Sequence, residues 1–224
     1  MSQKLNDEQA VFRTLAENLY SAAISDILDE MGYREQAVDP NCAIRPLSPS
    51  SVVVGRARTL LNDLDSRADE PYQLAIEALD KVGPGDVVVC TSRVPLVTGI
   101  FGELSGTRVR ARGGNGAIVD GFTRDGRKLL DMDFPVLCRG ISPIDTTGRA
   151  RVVAYDVPVK LGQREVAPGQ IIFGDMDGII LIPPEAEEEV IRRALERAEV
   201  ESQVRAELKS GRSMDEVWKK YHVL

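Results

Sequence analysis

Gly116-Ala117-Ile118-Val119-Asp120-Gly121-Phe122-Thr123-Arg124-Asp125 is the stretch on which the reading of this chain turns. Ala117, Ile118 and Val119 make a short apolar run of the kind found in a buried strand. The run ends in Asp120 and Gly121, and the pair Arg124–Asp125 follows. Such a strand delivers one planar cation and two carboxylates to the same sheet edge. An arginine fork grips a carboxylate through two parallel hydrogen bonds, and Asp is a hard oxygen ligand suited to Mg²⁺ or Mn²⁺. Together they suit a small anionic keto acid chelated to a divalent metal. Most adjacent Arg–Asp pairs are surface ion pairs worth little. This one lies just past a buried strand and behind a glycine turn, where catalytic groups tend to sit.

Outward from that strand the chain alternates between helical and extended patterns. Leu5 to Leu19 carries Val11, Leu15 and Leu19 at helical spacing. Ser21 to Gly32 reads as a second helix, with Ser21 or Ser25 as N-cap and Gly32 as the stop. Residues 37–50 read as a loop. Ser51 to Leu60 is an expected strand, Pro71 to Val82 an amphipathic helix, and Val87 to Cys90 a buried strand. Thr98 to Gly113 begins as a glycine-rich bend (Gly99, Gly102, Gly106) and continues as a helix with Arg108, Arg110 and Arg112. Leu129 to Met132 is a short helix. Phe134 to Cys138, Arg151 to Val159, Ile171 to Phe173 and Gly178 to Ile182 are strands. Pro183 to Lys209 is a long helix, and a last short helix carries Trp218 and Tyr221. This order favours α/β or α+β layers over a bundle or an all-β barrel. The stretch Val82-Gly-Pro-Gly85-Asp-Val-Val-Val89 echoes Val166-Ala-Pro-Gly169-Gln-Ile-Ile-Phe173: either a Pro-Gly turn recurring by chance, or two matching strand-entry turns in a pseudo-symmetric sheet.

Bulk properties narrow the function classes. With 224 residues, 43% of them hydrophobic and 28% charged, the chain has the makings of one soluble domain over 1–224. Its parts are N-terminal helices over 1–35, a sheet core over 50–182 and a C-terminal helical extension over 183–224. A net charge of −7 argues against a nucleic-acid binder. Cys42, Cys90 and Cys138 are far apart and form no paired motif, so reduced thiols and a cytoplasmic location are expected. The polar start MSQKLNDEQA is unlike a signal peptide, and no apolar run approaches the ~20 residues of a membrane span. The single histidine, His222, lies near the C-terminus, which all but removes histidine acid–base and His-rich metal chemistry.

Other motifs are weaker. Gly102-Glu103-Leu104-Ser105-Gly106 precedes an expected helix, whose first N–H groups could receive a carboxylate or phosphate. It is neither a P-loop nor a dinucleotide fingerprint. Gly174-Asp175-Met176-Asp177-Gly178 is too short for an EF-hand and reads as a tight turn. Asp120 is a candidate metal neighbour or a strand-end cap. The glutamates and arginines from Glu185 to Glu207 are spaced as a solvated helix with i,i+4 pairs.

These pieces resemble the RraA-like family, which includes 4-hydroxy-4-methyl-2-oxoglutarate aldolase and oxaloacetate decarboxylase. The resemblance is carried by Ser25-Asp26-Ile27-Leu28-Asp29, Gly102-Glu103-Leu104, Ala111-Arg112-Gly113, the block Gly116 to Gly121 with Arg124-Asp125, Gly174 to Gly178 with Pro183, and Arg197…Glu201…Gly211. It implies an α/β/β/α sandwich like a swivelling phosphohistidine-type domain, assembled as trimers or paired trimers with the site between subunits. It also implies a divalent metal, Mg²⁺ or Mn²⁺, on Asp125, with Glu103 acting through water. A glutamate from the next subunit completes the shell, placed at Glu201 with Glu199 second. Arg124 and the backbone of Gly102, Glu103, Leu104 and Ser105 would hold the pyruvyl part of a 2-oxo acid. The expected activity is metal-dependent aldol cleavage or β-keto acid decarboxylation, with a water backed by Glu103 or Asp120 as base. The family also contains a regulator that binds an RNA-processing endonuclease, which is the alternative. A methyltransferase is disfavoured because no glycine-rich loop follows the first strand.

Overall fold

The computed structural model describes residues 2–67 and 69–223. Two helices open the chain, α1 (Ser2–Asn18) and α2 (Ser21–Glu30). The two-residue strand β1 (Arg45–Pro46), the long β2 (Val53–Leu64), α3 (Gln73–Asp80) and β3 (Asp86–Ser92) follow. Then come β4 (Gly99–Phe101), α4 (Glu103–Ala111), β5 (Gly116–Thr123), α5 (Gly126–Asp131) and β6 (Val136–Ile141). The strands end with β7 (Ala150–Tyr155), β8 (Val159–Leu161), β9 (Arg164–Val166), β10 (Ile171–Gly174) and β11 (Ile179–Leu181). The long α6 (Glu187–Lys209) and α7 (Met214–Tyr221) close the chain.

The result is a mixed α/β fold built on one curled sheet. Its path runs β1-β6-β5-β3-β2-β10-β11, with β4 added beside β5 and β7 beside β2. Strands β2, β3, β5 and β6 are parallel, and β10 turns antiparallel against the first part of β2. Alternation along each strand sorts the core. Val53, Val87, Val89, Ile118 and Leu137 face inward with Leu161 and Val166 of the β8–β9 hairpin. The opposite side chains meet helices in two groups. Val54, Phe173 and Ile180 pack under α1, α2 and α6, while Val88, Ala117, Val119 and Val136 pack under α3, α4 and α5. Each strand is therefore apolar on both faces, which is why Val87–Cys90 and Ala117–Val119 read as unbroken runs.

Several local expectations change. β5 does not stop at Asp120: it continues to Thr123 through a register irregularity between Val119 and Phe122, and there exchanges β3 for β4 as its neighbour. The expected strand Arg151–Val159 breaks at Asp156, whose φ is 53°; β7 ends before it and β8 begins after. β4 and β9, three residues each, carry too little pattern to be read. Neither Ser21 nor Ser25 caps α2. The N-cap is Tyr20, and the capping acceptor is Asp175, which takes the Ser21 N–H at 2.7 Å and the Ser21 hydroxyl at 2.6 Å. Asp175 also accepts the Asp177 N–H within its own turn, so the Gly174–Gly178 turn, read correctly as tight, doubles as a helix cap from 154 residues away. α2 ends as expected at Gly32, where Gly32 N–H reaches Asp29 and Tyr33 N–H reaches Leu28. Both Pro-Gly sequences form the same turn: Asp86 N–H bonds to Gly83 and Gln170 N–H to Ala167, with φ 81° at Gly85 and at Gly169. They feed β3 and β10, which flank β2 on opposite sides and run in opposite directions. The three cysteines are free, and burial pushes the Cys90 thiol up to about 12.

Candidate functional site

The extension of β5 carries the chain to Arg124 at the edge of a cleft of about 410 Å³. β4 lies beside this end of β5, and the Arg124 N–H bonds back to the Phe101 carbonyl at 2.8 Å. Two glycines make room for the arginine. A Cβ on Gly99 would stand 2.7 Å from Arg124 Cβ, and one on Gly102 would stand 2.8 Å from Arg124 Cγ and 2.9 Å from Asp125 Oδ2. The glycine-rich bend is thus packing space for the Arg124 stem.

Asp125 follows with φ 57°, in the left-handed region that Asp adopts more readily than most side chains. It stands at the N-cap of α5, yet its side chain makes no cap hydrogen bond. Its Oδ2 instead accepts the Glu103 N–H at the start of α4, 3.4 Å away, and lies 3.5 Å from Arg124 Nε. Gly102, the N-cap of α4, offers no side chain, so beyond the Glu103 N–H taken by Asp125 the first-turn N–H groups have no intrahelical partners. They add partial positive charge beside Arg124.

On its other side Arg124 meets Asp145, with Nη1 2.5 Å from Oδ1. Burial works to raise the Asp145 pKa, but hydrogen bonds from Thr147 and Tyr72 outweigh it and hold the carboxyl down to about 2. Asp145 therefore stays charged and fixes the guanidinium from one flank while Asp125 sits on the other. Sequence reasoning left Asp145 out. The available signal was its place in the polar loop after β6, since ligands in α/β sheets bind beyond the carboxyl ends of the strands.

Of the residues singled out from sequence, Gly102, Leu104, Ser105, Arg124 and Asp125 line this one cleft. Glu103, Asp120 and Glu201 do not. The Glu103 carboxylate accepts from Thr107 at 2.9 Å and faces a separate groove beside Lys128, Asp131 and Met132. Asp120, expected as a metal neighbour or a strand-end cap, is tied to Arg139 and to the Gly162 N–H of the β8–β9 turn. Glu201, on α6, accepts the Tyr20 hydroxyl at 2.6 Å, and burial together with that bond pushes Tyr20 up to about 12. Glu199 is exposed on the same helix. Among the described residues no group of three His, Cys, Asp or Glu side chains is placed to cage a metal.

The family model described as RraA-like, Aldolase/RraA, matches residues 21–181. The chain belongs to the RraA-like family. Among its curated relatives is a Halalkalibacterium halodurans protein named "Putative 4-hydroxy-4-methyl-2-oxoglutarate aldolase", 31% identical over 92% of this chain and 91% of that one. Streptomyces coelicolor RraAS2, described as an unusual member of the RNase ES inhibitor RraA protein family, is 28% identical over 88% of this chain and 96% of its own, with a TM-score of 0.73. A structure described as one of novel cellulases from microbes of the gut ecosystem is 26% identical over 88% of this chain and 87% of that one, with a TM-score of 0.78. The family thus joins proteins named as aldolases to proteins named as ribonuclease inhibitors. No helix among the described residues is long and apolar enough to cross a membrane.

Proposed function

We propose that this chain is a carbon–carbon lyase acting on 2-oxo acids, cleaving 4-hydroxy-2-oxo acids, decarboxylating oxaloacetate, or both. The observation that supports it best is the corner in which the Arg124 guanidinium, the Asp125 carboxylate and the open start of α4 share one cleft. A 2-oxo carboxylate presents two oxygens on adjacent carbons. Arg124 can donate to the carboxylate, and the Leu104 and Ser105 N–H groups can donate to the same end of the substrate. As the bond to C3 breaks, negative charge moves onto the C2 oxygen, and preset donors there cost no reorganisation. Asp145 keeps the guanidinium in place throughout.

The family resemblance implies a divalent cation, and the donor set is compatible with one. A single hard carboxylate suits Mg²⁺ or Mn²⁺, which keep several waters and take further oxygens from substrate. Asp125 would hold it; Glu103 would reach it through water by turning its carboxylate away from Thr107, and Glu201 would be supplied, again through water, by a neighbouring copy of the chain. When bound, the cation supplies a Lewis acid for the developing oxyanion. A trimer or dimer of trimers belongs to the same proposal, and the exposed Val97, Leu130 and Ile141 offer apolar surface for it. So does the finer layering: the two helix groups outside a curled sheet agree with an α/β/β/α sandwich of the phosphohistidine-domain kind. Of the two groups that could back the base water, Glu103 is the better placed, because the Asp120 carboxylate already holds Arg139 and the Gly162 N–H.

The test is pyruvate release from oxaloacetate and from 4-hydroxy-4-methyl-2-oxoglutarate. Activity should vanish with EDTA and return with Mg²⁺ or Mn²⁺. No release from these or from any other 4-hydroxy-2-oxo acid, or full activity after chelation, overturns the reading. The second reading, a regulator binding an RNA-processing endonuclease, draws on the likeness to RraAS2. It predicts tight capture of such an enzyme with no lyase activity.

A further inference from the structure

The cleft is much larger than a pyruvyl group needs. Its volume of about 410 Å³ falls within the roughly 300–1,000 Å³ of sites that hold drug-sized ligands. One wall is α3, from Tyr72 at its start to Asp80 at its end. At one end Tyr72 donates to Asp145 at 2.8 Å, at the Arg124 corner. At the other Asp80 pairs with Arg108 at 2.7 Å. Tyr72 to Asp80 spans roughly 12 Å of helix.

Between those two polar ends the wall is apolar: Ala75, Ile76 and Leu79 of α3 face Ile100, Leu104 and Val152. The cations along it already have anions. Arg151 lies 3.0 Å from Asp65 and Arg108 pairs with Asp80, while Arg124, flanked by Asp145 and Asp125, is the corner that receives the carboxylate of the 2-oxo acid. Asn62, buried in the floor, donates its side-chain amide to the Thr91 carbonyl at 3.0 Å. A second carboxylate placed along this stretch would lose water and meet, among the described residues, only cations that already stand beside an aspartate, which is costly. An alkyl or aryl group there would remove Ile76 and Leu104, 58% and 78% exposed, from water.

Resting on the lyase reading above, we propose that this apolar stretch is a subsite for an uncharged substituent at C4, so that the preferred substrate is a 4-hydroxy-2-oxo acid carrying an alkyl or aryl tail rather than a second carboxylate. The step is a retro-aldol cleavage. The C4 hydroxyl loses its proton and becomes a carbonyl as the C3–C4 bond breaks. That bond's electron pair passes into the C2 keto group as an enolate, and a proton added at C3 gives pyruvate. The other product is an apolar aldehyde. No oxidant or reductant enters.

The experiment compares kcat/KM for 4-hydroxy-2-oxo-4-phenylbutanoate, 4-hydroxy-2-oxooctanoate and 4-hydroxy-4-methyl-2-oxoglutarate, with oxaloacetate decarboxylation as the tail-free reference. The two apolar substrates should exceed the dicarboxylate by at least tenfold. Ile76→Asp, on the exposed side of α3, should cut kcat/KM for the phenyl substrate at least tenfold more than for oxaloacetate. Binding gives a readout independent of turnover: uncleavable 2-oxo-4-phenylbutanoate should bind at least tenfold tighter than 2-oxoglutarate by calorimetry, and Ile76→Asp should erase that preference. A preference for the dicarboxylate, or an equal effect of Ile76→Asp on both reactions, overturns the subsite while leaving the lyase intact. Absence of pyruvate from every substrate overturns both.

Discussion

Asp120 and Asp125 stand five residues apart at the exit of one strand, and the fold uses them for opposite ends. Asp120 has a side chain only 12% exposed and is closed off by Arg139 and the Gly162 N–H. Asp125 is 37% exposed, held in a left-handed conformation, and lines a cleft beside Arg124. The first ties the β8–β9 hairpin to the sheet. The second places Oδ2 near the Glu103 N–H and Arg124 and leaves Oδ1 to a ligand. A carboxylate whose partners are all internal stabilises, whereas one left open in a cleft is where chemistry is to be sought.

The sharpest way to break this contrast is to exchange the consequences. Arg124→Ala should lower kcat for oxaloacetate by about 10²–10³-fold, with the melting temperature moved by little, because the guanidinium lies at an open cleft edge. Asp120→Ala should do the reverse. It strands Arg139 and a backbone N–H, at a cost of roughly 2–3 kcal/mol and a melting temperature lowered by about 5–10 °C, with kcat within about threefold of wild type. Calorimetry beside steady-state kinetics decides both, and a large catalytic loss in Asp120→Ala with normal stability would reverse the assignment.

Asp145 sharpens the comparison from the cleft side. Its pKa is depressed from 3.8 to about 2, so its pairing with Arg124 is complete above the ordinary value and is lost as pH falls toward 2. The carboxyl carbon of Asp145 should titrate near 2 by NMR, and activity should show no step from this group between pH 5 and 8. Asp145→Asn should lower kcat/KM by about tenfold through loss of guanidinium orientation. The smallest effect is expected at the matched turns. Gly169→Ala meets only backbone strain, with no atom within 4 Å of the new Cβ, and should cost about 1 kcal/mol. Gly85→Ala also presses a Cβ to 3.1 Å from Phe12 and should cost more, as chemical denaturation would show.

Legibility followed the range of the interactions. Ala117 to Val119, Val87 to Cys90 and the helices from Ser21 and Pro183 could be read because local apolar runs and helical periodicity mark them. β4 and β9 could not, since three-residue strands exist only through their neighbours. The Arg124–Asp125 corner with Gly102, Leu104 and Ser105 came from local motifs. Asp145 did not, because its tie to Arg124 spans 21 residues and no pattern in its own loop records it. The Asp120 contacts are hidden for the same reason: its partners Arg139 and Gly162 come from β6 and from the β8–β9 turn.

The order of amino acids by itself determined the alternation of strands and helices, the turn chemistry at each Pro-Gly, and the residue types available for binding an anionic keto acid. Those depend on backbone preference and hydrophobic period, which act over a few positions. Only the tertiary structure decided which carboxylate is spent and which is open, that Asp175 caps α2, and that Arg124 is held between two aspartates at the end of an apolar cleft. Those depend on pairings across the curled sheet, where distance along the chain carries no information about distance in space.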